Sequence, residues 1–395
     1  MKTLLIISGI LLAGIILFSC NDVTESPEYY LCQSFRADSS ALHPKAMEFQ
    51  NLIDQKIKMG IPGMSIYIKT EDGHAWSGSS GLADLENRIG MEACHPMLIA
   101  SVSKVFTATN VMKLHQEGEL ALDDLLAEHL EGDYMDEIKN AKKVTIRQLL
   151  DHTSGLFDYL DPLAYDLNSA NKPYSHDSPQ KKLKFAYGKS PNNAPGEKYY
   201  YSNTNFVLLA LMVEQMTGKS LPQNRKEVIF DPLGLTSAFA GTSQNPIPTG
   251  TPQGYFSLHG NNVLQNSEYW YHNDLATGDG DIAINMTELG YFLQMLFTGQ
   301  LLDQATVDLM TDSDELPEDW KGFYHDSNGL GVEVYETPYG TAYGHTGAIL
   351  GFLTLAWYFP ESGATLTFAV NALSPKILDV REKFVDEIME VMFEK

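Results

Sequence analysis

The chain has 395 residues, 44% hydrophobic, 11% aromatic and 20% charged, which supports a sizeable core and excludes the depleted composition of a disordered chain. Its formal net charge is −24, and no basic run is present to follow a phosphate backbone, so nucleic acid is not expected as a partner. The acidity reads as a solvated surface and says little about a substrate.

In chain order, the first segment is a targeting signal. Lys2 gives a short positive start, Leu4 to Phe18 is almost wholly apolar, and Leu17-Phe18-Ser19-Cys20 resembles a bacterial lipobox. Residues 1–19 are therefore expected as a lipoprotein signal peptide, with Cys20 as the lipidated start of the mature chain. An uncleaved apolar anchor is the alternative, and either one exports the remainder of the chain. The expected location is a bacterial cell envelope, lipid-anchored, facing the periplasm or the outside. Residues 20–43 read as a polar tether and residues 44–395 as the folded body. Cys32 and Cys94 remain, and an oxidising compartment permits them to pair; two independent small apolar side chains are the other reading.

Met47, Phe49, Leu52, Ile53 and Ile57 recur at helical spacing from Pro44 to Met59, with Gly60 as the stop. Met64–Lys69 and His74–Ser79, joined through Glu71-Asp72-Gly73, read as a hairpin. Leu98 to His115 is apolar on more than one face, which predicts a buried helix ended by Gly118. Leu330–Tyr335, Phe352–Phe359 and Ala364–Val370 read as strands, and Ile377–Phe393 as a final helix. The fold class expected is α/β: an antiparallel sheet built from N- and C-terminal segments with flanking helices, around a mostly helical inserted region.

Ser101 sits near the start of the buried helix, and Lys104, one turn on, stacks its amine against the hydroxyl. A helix start favours developing negative charge, and the amine can help remove the serine proton. Ser-x-x-Lys alone is weak, since Ser169/Lys172 and Ser178/Lys181 repeat it in a polar stretch. Two further elements support Ser101: Tyr201-Ser202-Asn203 before the apolar run Phe206–Val213, and His345-Thr346-Gly347 between two candidate strands. Tyr271-His272-Asn273 is a second Tyr-x-Asn.

In this order the three elements resemble the serine β-lactamase and penicillin-binding superfamily, in its class C β-lactamase and D-alanyl-D-alanine carboxypeptidase branch. Leu149-Leu150-Asp151-His152-Thr153-Ser154-Gly155-Leu156, Pro232-Leu233-Gly234-Leu235 and Gly344-His345-Thr346-Gly347 extend the resemblance from about Pro44 to the C-terminus. It implies a serine hydrolase that acylates Ser101 with an amide or ester carbonyl of a small-molecule or peptide substrate, then hydrolyses the acyl-enzyme. The alternative is a penicillin-binding or β-lactam sensor protein that does not turn over.

The backbone N–H groups of Ser101 and Ala348 are the implied oxyanion donors. Tyr201 as base with Lys104 as its partner is the preferred assignment, on the condition that burial does not oppose a phenolate; the reverse leaves neutral Lys104 to take the proton. Asn203 is implied to hold the substrate amide or Lys104, and Thr346 and Gly347 to face the substrate. His345 stands where the family has lysine or histidine. Carboxypeptidase members tend to read a terminal carboxylate with an arginine near the third motif, yet none lies between Arg225 and Arg381, leaving Lys321 as a substitute.

Gly-x-Ser-x-Gly, His-Glu-x-x-His and a Walker A loop are missing, which removes the common α/β-hydrolase, zinc-protease and phosphate-loop readings, and no cofactor and no metal are expected. Gly278-Asp279-Gly280 with Ala283 mimics a dinucleotide fingerprint without a preceding apolar strand. Asp151-His152 reads as a structural turn before Gly155.

Overall fold

The structure, a computed structural model, describes residue 32 and residues 43–171, 177–241, 250–257, 259–267 and 277–394. The signal segment, Cys20, the tether other than Cys32 and His43, Lys172 and Tyr271-His272-Asn273 lie outside the described residues.

Helices that position the site are α1 (Ala46–Lys58), α2 (Ser103–Gln116), α3 (Asn203–Thr217), α4 (Met286–Phe297) and α5 (Pro375–Phe393). Nine strands make the main sheet: β1 (Gly63–Lys69), β2 (Ala75–Asp84), β3 (Ile89–Gly90), β4 (Asp314–Glu315), β5 (His325–Asn328), β6 (Glu333–Thr337), β7 (Gly340–Ile349), β8 (Phe352–Tyr358) and β9 (Thr365–Val370). Their spatial order is β3-β2-β1-β9-β8-β7-β6-β5-β4, antiparallel throughout. The expected hairpin is β1 and β2, and β1 then pairs with β9 from Met64 opposite Val370 to Lys69 opposite Thr365. The sheet is thus closed by both ends of the folded body, as the α/β expectation required.

Both faces of the central strands are covered, which is why β8 and β9 are nearly continuous apolar runs. Along β8, Leu353, Leu355 and Trp357 join the core under α1 and α5, while Phe352, Ala356 and Tyr358 join the core shared with the helical region. Phe384 of α5 meets Phe368 edge to face, and Phe297 of α4 stacks on Tyr358. Ser374 caps α5 by accepting the Ile377 N–H.

Three expectations change. The strand expected at Leu330 begins at Glu333, because Gly331 takes a left-handed φ of +72° and turns the chain first. His345-Thr346-Gly347 lies inside β7, not between strands. Its glycines suggested a break, but a Cβ on Gly344 would lie 1.8 Å from the Ala356 carbonyl oxygen, so that position serves close strand contact. The helix expected from Leu98 starts as a tight turn, Ala100–Val102, and becomes α-helical at Ser103, with Ala100 at φ +47°.

Cys32 and Cys94 form a disulfide with their Cα atoms 5.8 Å apart and a sequence separation of 62 residues. Closing a loop of that length restricts the unfolded chain by up to about 4 kcal/mol in the chain-entropy account. Cys94→Ser, or reduction of the unmodified protein, is expected to lower the unfolding free energy by that order in a urea titration, with reductant adding nothing to the variant.

Candidate active site

The three motif segments converge. Ser101, in the turn that leads into α2, has its Oγ 3.0 Å from the Lys104 Nζ and 3.0 Å from the Tyr201 hydroxyl, both of which donate to it. Lys104 is fully buried, and its amine donates twice more, to Asn203 Oδ1 at 2.8 Å and to the Asp279 carbonyl at 2.8 Å. Every proton of an ammonium therefore has an acceptor.

Burial nevertheless pushes the Lys104 amine down to about 8, against the opposing pull of Asp279, Asp158, Glu333 and Asp281. Tyr201 behaves in the opposite sense. Burial raises its hydroxyl well above 10, Glu333, Tyr199 and Asp158 add to that, and the contact with Ser101 only partly offsets it. Burial thus works against the charged form of both groups, the ammonium of Lys104 and a phenolate at Tyr201.

Tyr201 leads into α3, and its ring stacks on His152 with centroids 4.3 Å apart and planes 24° apart. The His152 Nδ1 faces two donors, the Ser202 backbone N–H at 3.1 Å and the Asn205 amide at 3.2 Å, so the ring proton sits on Nε2. Burial first, then Lys104, His345 and His325, hold its pKa well below the usual value, so the platform is neutral. Asp151-His152 is the expected turn, but it also supports the tyrosine.

On the other side, a Cβ on Gly347 would meet the Ile99 carbonyl at 2.3 Å and the Ala100 Cβ at 3.2 Å. That absence of a side chain lets β7 lie against the backbone entering Ser101. Ala348, next along, is exposed. His345 is buried beside Tyr201, ring centroids 6.4 Å apart, and burial lowers its pKa although Glu333 pulls upward. Thr346 is tied sideways: its N–H and hydroxyl donate to Glu333 Oε2 at 2.8 and 3.2 Å, and Tyr335 donates to the same oxygen.

Several residues around the site were missed in the sequence. Glu333 is an isolated acid in a strand, and nothing local marks it. Asp158 accepts from Asn203, and Asp279 from Tyr159. The discounted Gly278-Asp279-Gly280 run proves to be the loop that offers its carbonyl to Lys104, and its glycine pattern was the available signal. Lys321 is committed elsewhere, to Glu315 at 2.5 Å and Glu318 at 2.9 Å, and these contacts raise its pKa. Ser178 precedes a short helix, and Lys181 faces Asp177 at 3.6 Å, apart from this site. Among the described residues, one group has metal-ligand proximity, Cys32, Cys94 and His95, and both of its sulfurs are in the disulfide.

The family model described as Beta-lactamase matches residues 49–389. Protein flp of Staphylococcus aureus is 28% identical over 191 residues, 48% of this chain and 37% of that protein. D-aminopeptidase of Brucella anthropi is 38% identical over 168 residues, 42% of this chain and 29% of that protein. The chain thus spans about a third of the length of these curated relatives. The crystal structure of a D-stereospecific amidohydrolase from Streptomyces sp. superposes with a TM-score of 0.74 over 87% of this chain and 97% of that one, at 24% identity, and shows a shared fold.

His152→Phe keeps an aromatic ring under Tyr201 but removes the acceptor of two buried donors. It is expected to cost about 1–3 kcal/mol in urea unfolding, whereas an unchanged midpoint would show that those donors find other partners.

Proposed function

The chain belongs to the Beta-lactamase family, and from that membership we propose that it is a serine hydrolase acting on an amide or ester carbonyl through an acyl-enzyme at Ser101. The observation that carries this reading is the Ser101 Oγ held at 3.0 Å by both an amine and a phenol.

With its pKa near 8, Lys104 is neutral in roughly one molecule in ten at pH 7, enough to accept the Ser101 proton as Oγ attacks. The N–H groups of Ser101 and Ala348 receive the oxyanion, a contribution of roughly 3 kcal/mol per donor. The proton taken from Ser101 must finish on the leaving nitrogen or oxygen. Tyr201, kept protonated and in contact with the same Oγ, delivers a proton there and regains one from the lysine side of the site. Water repeats these steps in reverse order against the acyl-enzyme. Asn203 holds Lys104, and the Thr346-Gly347 edge with His345 borders the substrate.

Between Lys226 and Lys376 the chain has one lysine and no arginine, and that lysine, Lys321, is paired with two glutamates. That stretch of sequence thus lacks the arginine that carboxypeptidase members tend to carry near the third motif, and carboxypeptidase, D-amino-acid peptidase and esterase action stand side by side. Amides, esters and peptides suit the site, in line with the names D-aminopeptidase and D-stereospecific amidohydrolase among the similar proteins. For location, the apolar start and Cys20 support a lipoprotein of a bacterial cell envelope, and the Cys32–Cys94 disulfide is compatible with an oxidising compartment.

Ser101→Ala should reduce hydrolysis of a chromogenic ester and of D-amino-acid amides on the order of a thousandfold or more, and mass spectrometry should find no acyl adduct; retained turnover would sink the reading. For the unmodified protein, kcat/KM should rise with pH through about 8 as Lys104 loses its proton. A profile flat from pH 6 to 9 would rule out Lys104 as the proton acceptor. Hydrolysis of a D-Ala-D-Ala peptide beside its C-terminal amide separates the two modes: carboxypeptidase action falls at least roughly tenfold on amidation, and action read on the acyl side changes by less than roughly threefold.

A further inference from the structure

Two acceptors of the Lys104 amine besides Ser101 come from distant parts of the chain, and one dipeptide touches both. The Asp158 Oδ2 accepts the Asn203 backbone N–H at 3.2 Å and the Asn203 side-chain amide at 2.8 Å, while its Oδ1 accepts the Leu160 N–H at 3.0 Å. A carboxylate has no hydrogen to give, so the amide nitrogen of Asn203 must face Asp158 and its oxygen must face Lys104. The next residue, Tyr159, donates its hydroxyl to Asp279 Oδ2 at 2.7 Å, and the backbone carbonyl of the same Asp279 accepts from Lys104. Asp158, Tyr159 and Asp279 are all buried, as is Asn203. The Tyr159 N–H also donates to Thr204 Oγ1 at 3.0 Å, which fastens the dipeptide to the first turn of α3.

We propose that Asp158 and Tyr159 are positioning residues that fix the direction of the Lys104 lone pair toward Ser101, by locking the Asn203 amide on one side and the Asp279 carbonyl on the other. This rests on the reading of Lys104 as the proton acceptor. An amine with two of its three directions held can turn only the third toward the nucleophile. Without the lock, the Asn203 amide is free to rotate by half a turn and present N–H groups to the amine, which removes an acceptor and leaves the lysine disordered between Ser101 and the rest of the cavity. Neither residue touches a substrate, and both act through Lys104.

The ionised groups acting on Lys104 are Asp279, Asp158, Glu333 and Asp281, with Tyr201, His152 and His345 beside it. Asp158 itself is raised to about 6, by burial first, so it is mostly ionised at neutral pH. Its charge favours the ammonium, and removing it must move the Lys104 titration to lower pH.

The test measures kcat, KM and the pH dependence of kcat/KM for ester hydrolysis in Asp158→Asn, Tyr159→Phe and the double variant, each normalised to the fraction of protein that Ser101 acylation titrates. Asp158→Asn is expected to shift the acid limb down by about half a pH unit or more and to lower kcat roughly tenfold with KM within about threefold. Tyr159→Phe should lower kcat in the same pattern, and the double variant should lose less than the product of the single losses, since both act on one amine. An acid limb unmoved in folded, titratable Asp158→Asn enzyme overturns the proposal, as does full multiplicativity. If Asp158→Asn does not fold, Asp158→Glu decides. It retains the charge with a displaced oxygen, so kcat should fall while the limb stays in place; an unchanged kcat overturns the inference. Failure of the underlying function is distinguished by Ser101→Ala, because turnover in that variant would remove the hydrolase reading whatever Asp158 does.

Discussion

A primary amine enclosed on every side is the constraint around which the rest of this structure is arranged. Removing a charge from water is costly unless each polar hydrogen finds an acceptor, and Lys104 finds three, from the turn before α2, from α3 and from the Gly278–Asp281 loop. Fewer acceptors would leave a neutral, idle lysine, and a solvated setting would leave a permanent ammonium. The balance seen here keeps both protonation states within reach, which is what repeated proton transfer requires.

The loop that supplies the third acceptor is itself braced by a second buried ionic cluster. Arg225 and Asp281 are fully buried and paired at 2.8 Å; the same arginine donates to Thr107 Oγ1 at 2.7 Å, and Thr107 donates to the Gly278 carbonyl at 2.6 Å. Asp281 also accepts the Gly278 N–H. Thr107 lies one turn beyond Lys104 on α2, so the helix that carries the amine also grips the loop that accepts its hydrogen bond. Ion pairs of this kind contribute little net stability, but breaking one is costly, which suits a role in holding geometry.

Legibility in the sequence followed the range of the physics. The β1–β2 hairpin, α1, α5 and strands β8 and β9 rest on local periodicity and turn chemistry and were visible with boundaries off by a few residues. Ser101, Lys104, Tyr201 and Asn203 stood out only because Ser-x-x-Lys and Tyr-x-Asn, each weak alone, occur in the order of the family resemblance. Glu333, Asp158 and Asp279 were not, because a single acid in a strand or loop looks the same whether it faces water or another buried group. The glycines of β7 misled for a related reason: glycine marks both a turn and a close approach, and only the neighbouring strand distinguishes Gly344 in the sheet from Gly340 at the turn. The burial of Tyr201, which opposes its phenolate, is a property of the assembled cavity that no local spacing carries.

The pairing of β1 with β9 sets a schedule for biosynthesis. A ribosome finishes Gly63–Lys69 roughly three hundred residues before its partner Thr365–Val370 exists. Until then the hairpin has an open edge and an uncovered greasy face, the condition in which nascent chains stick to one another. The sheet can therefore be completed only after Thr365–Val370 has been made, and loss of that strand would unmake the sheet at its centre, not at its margin.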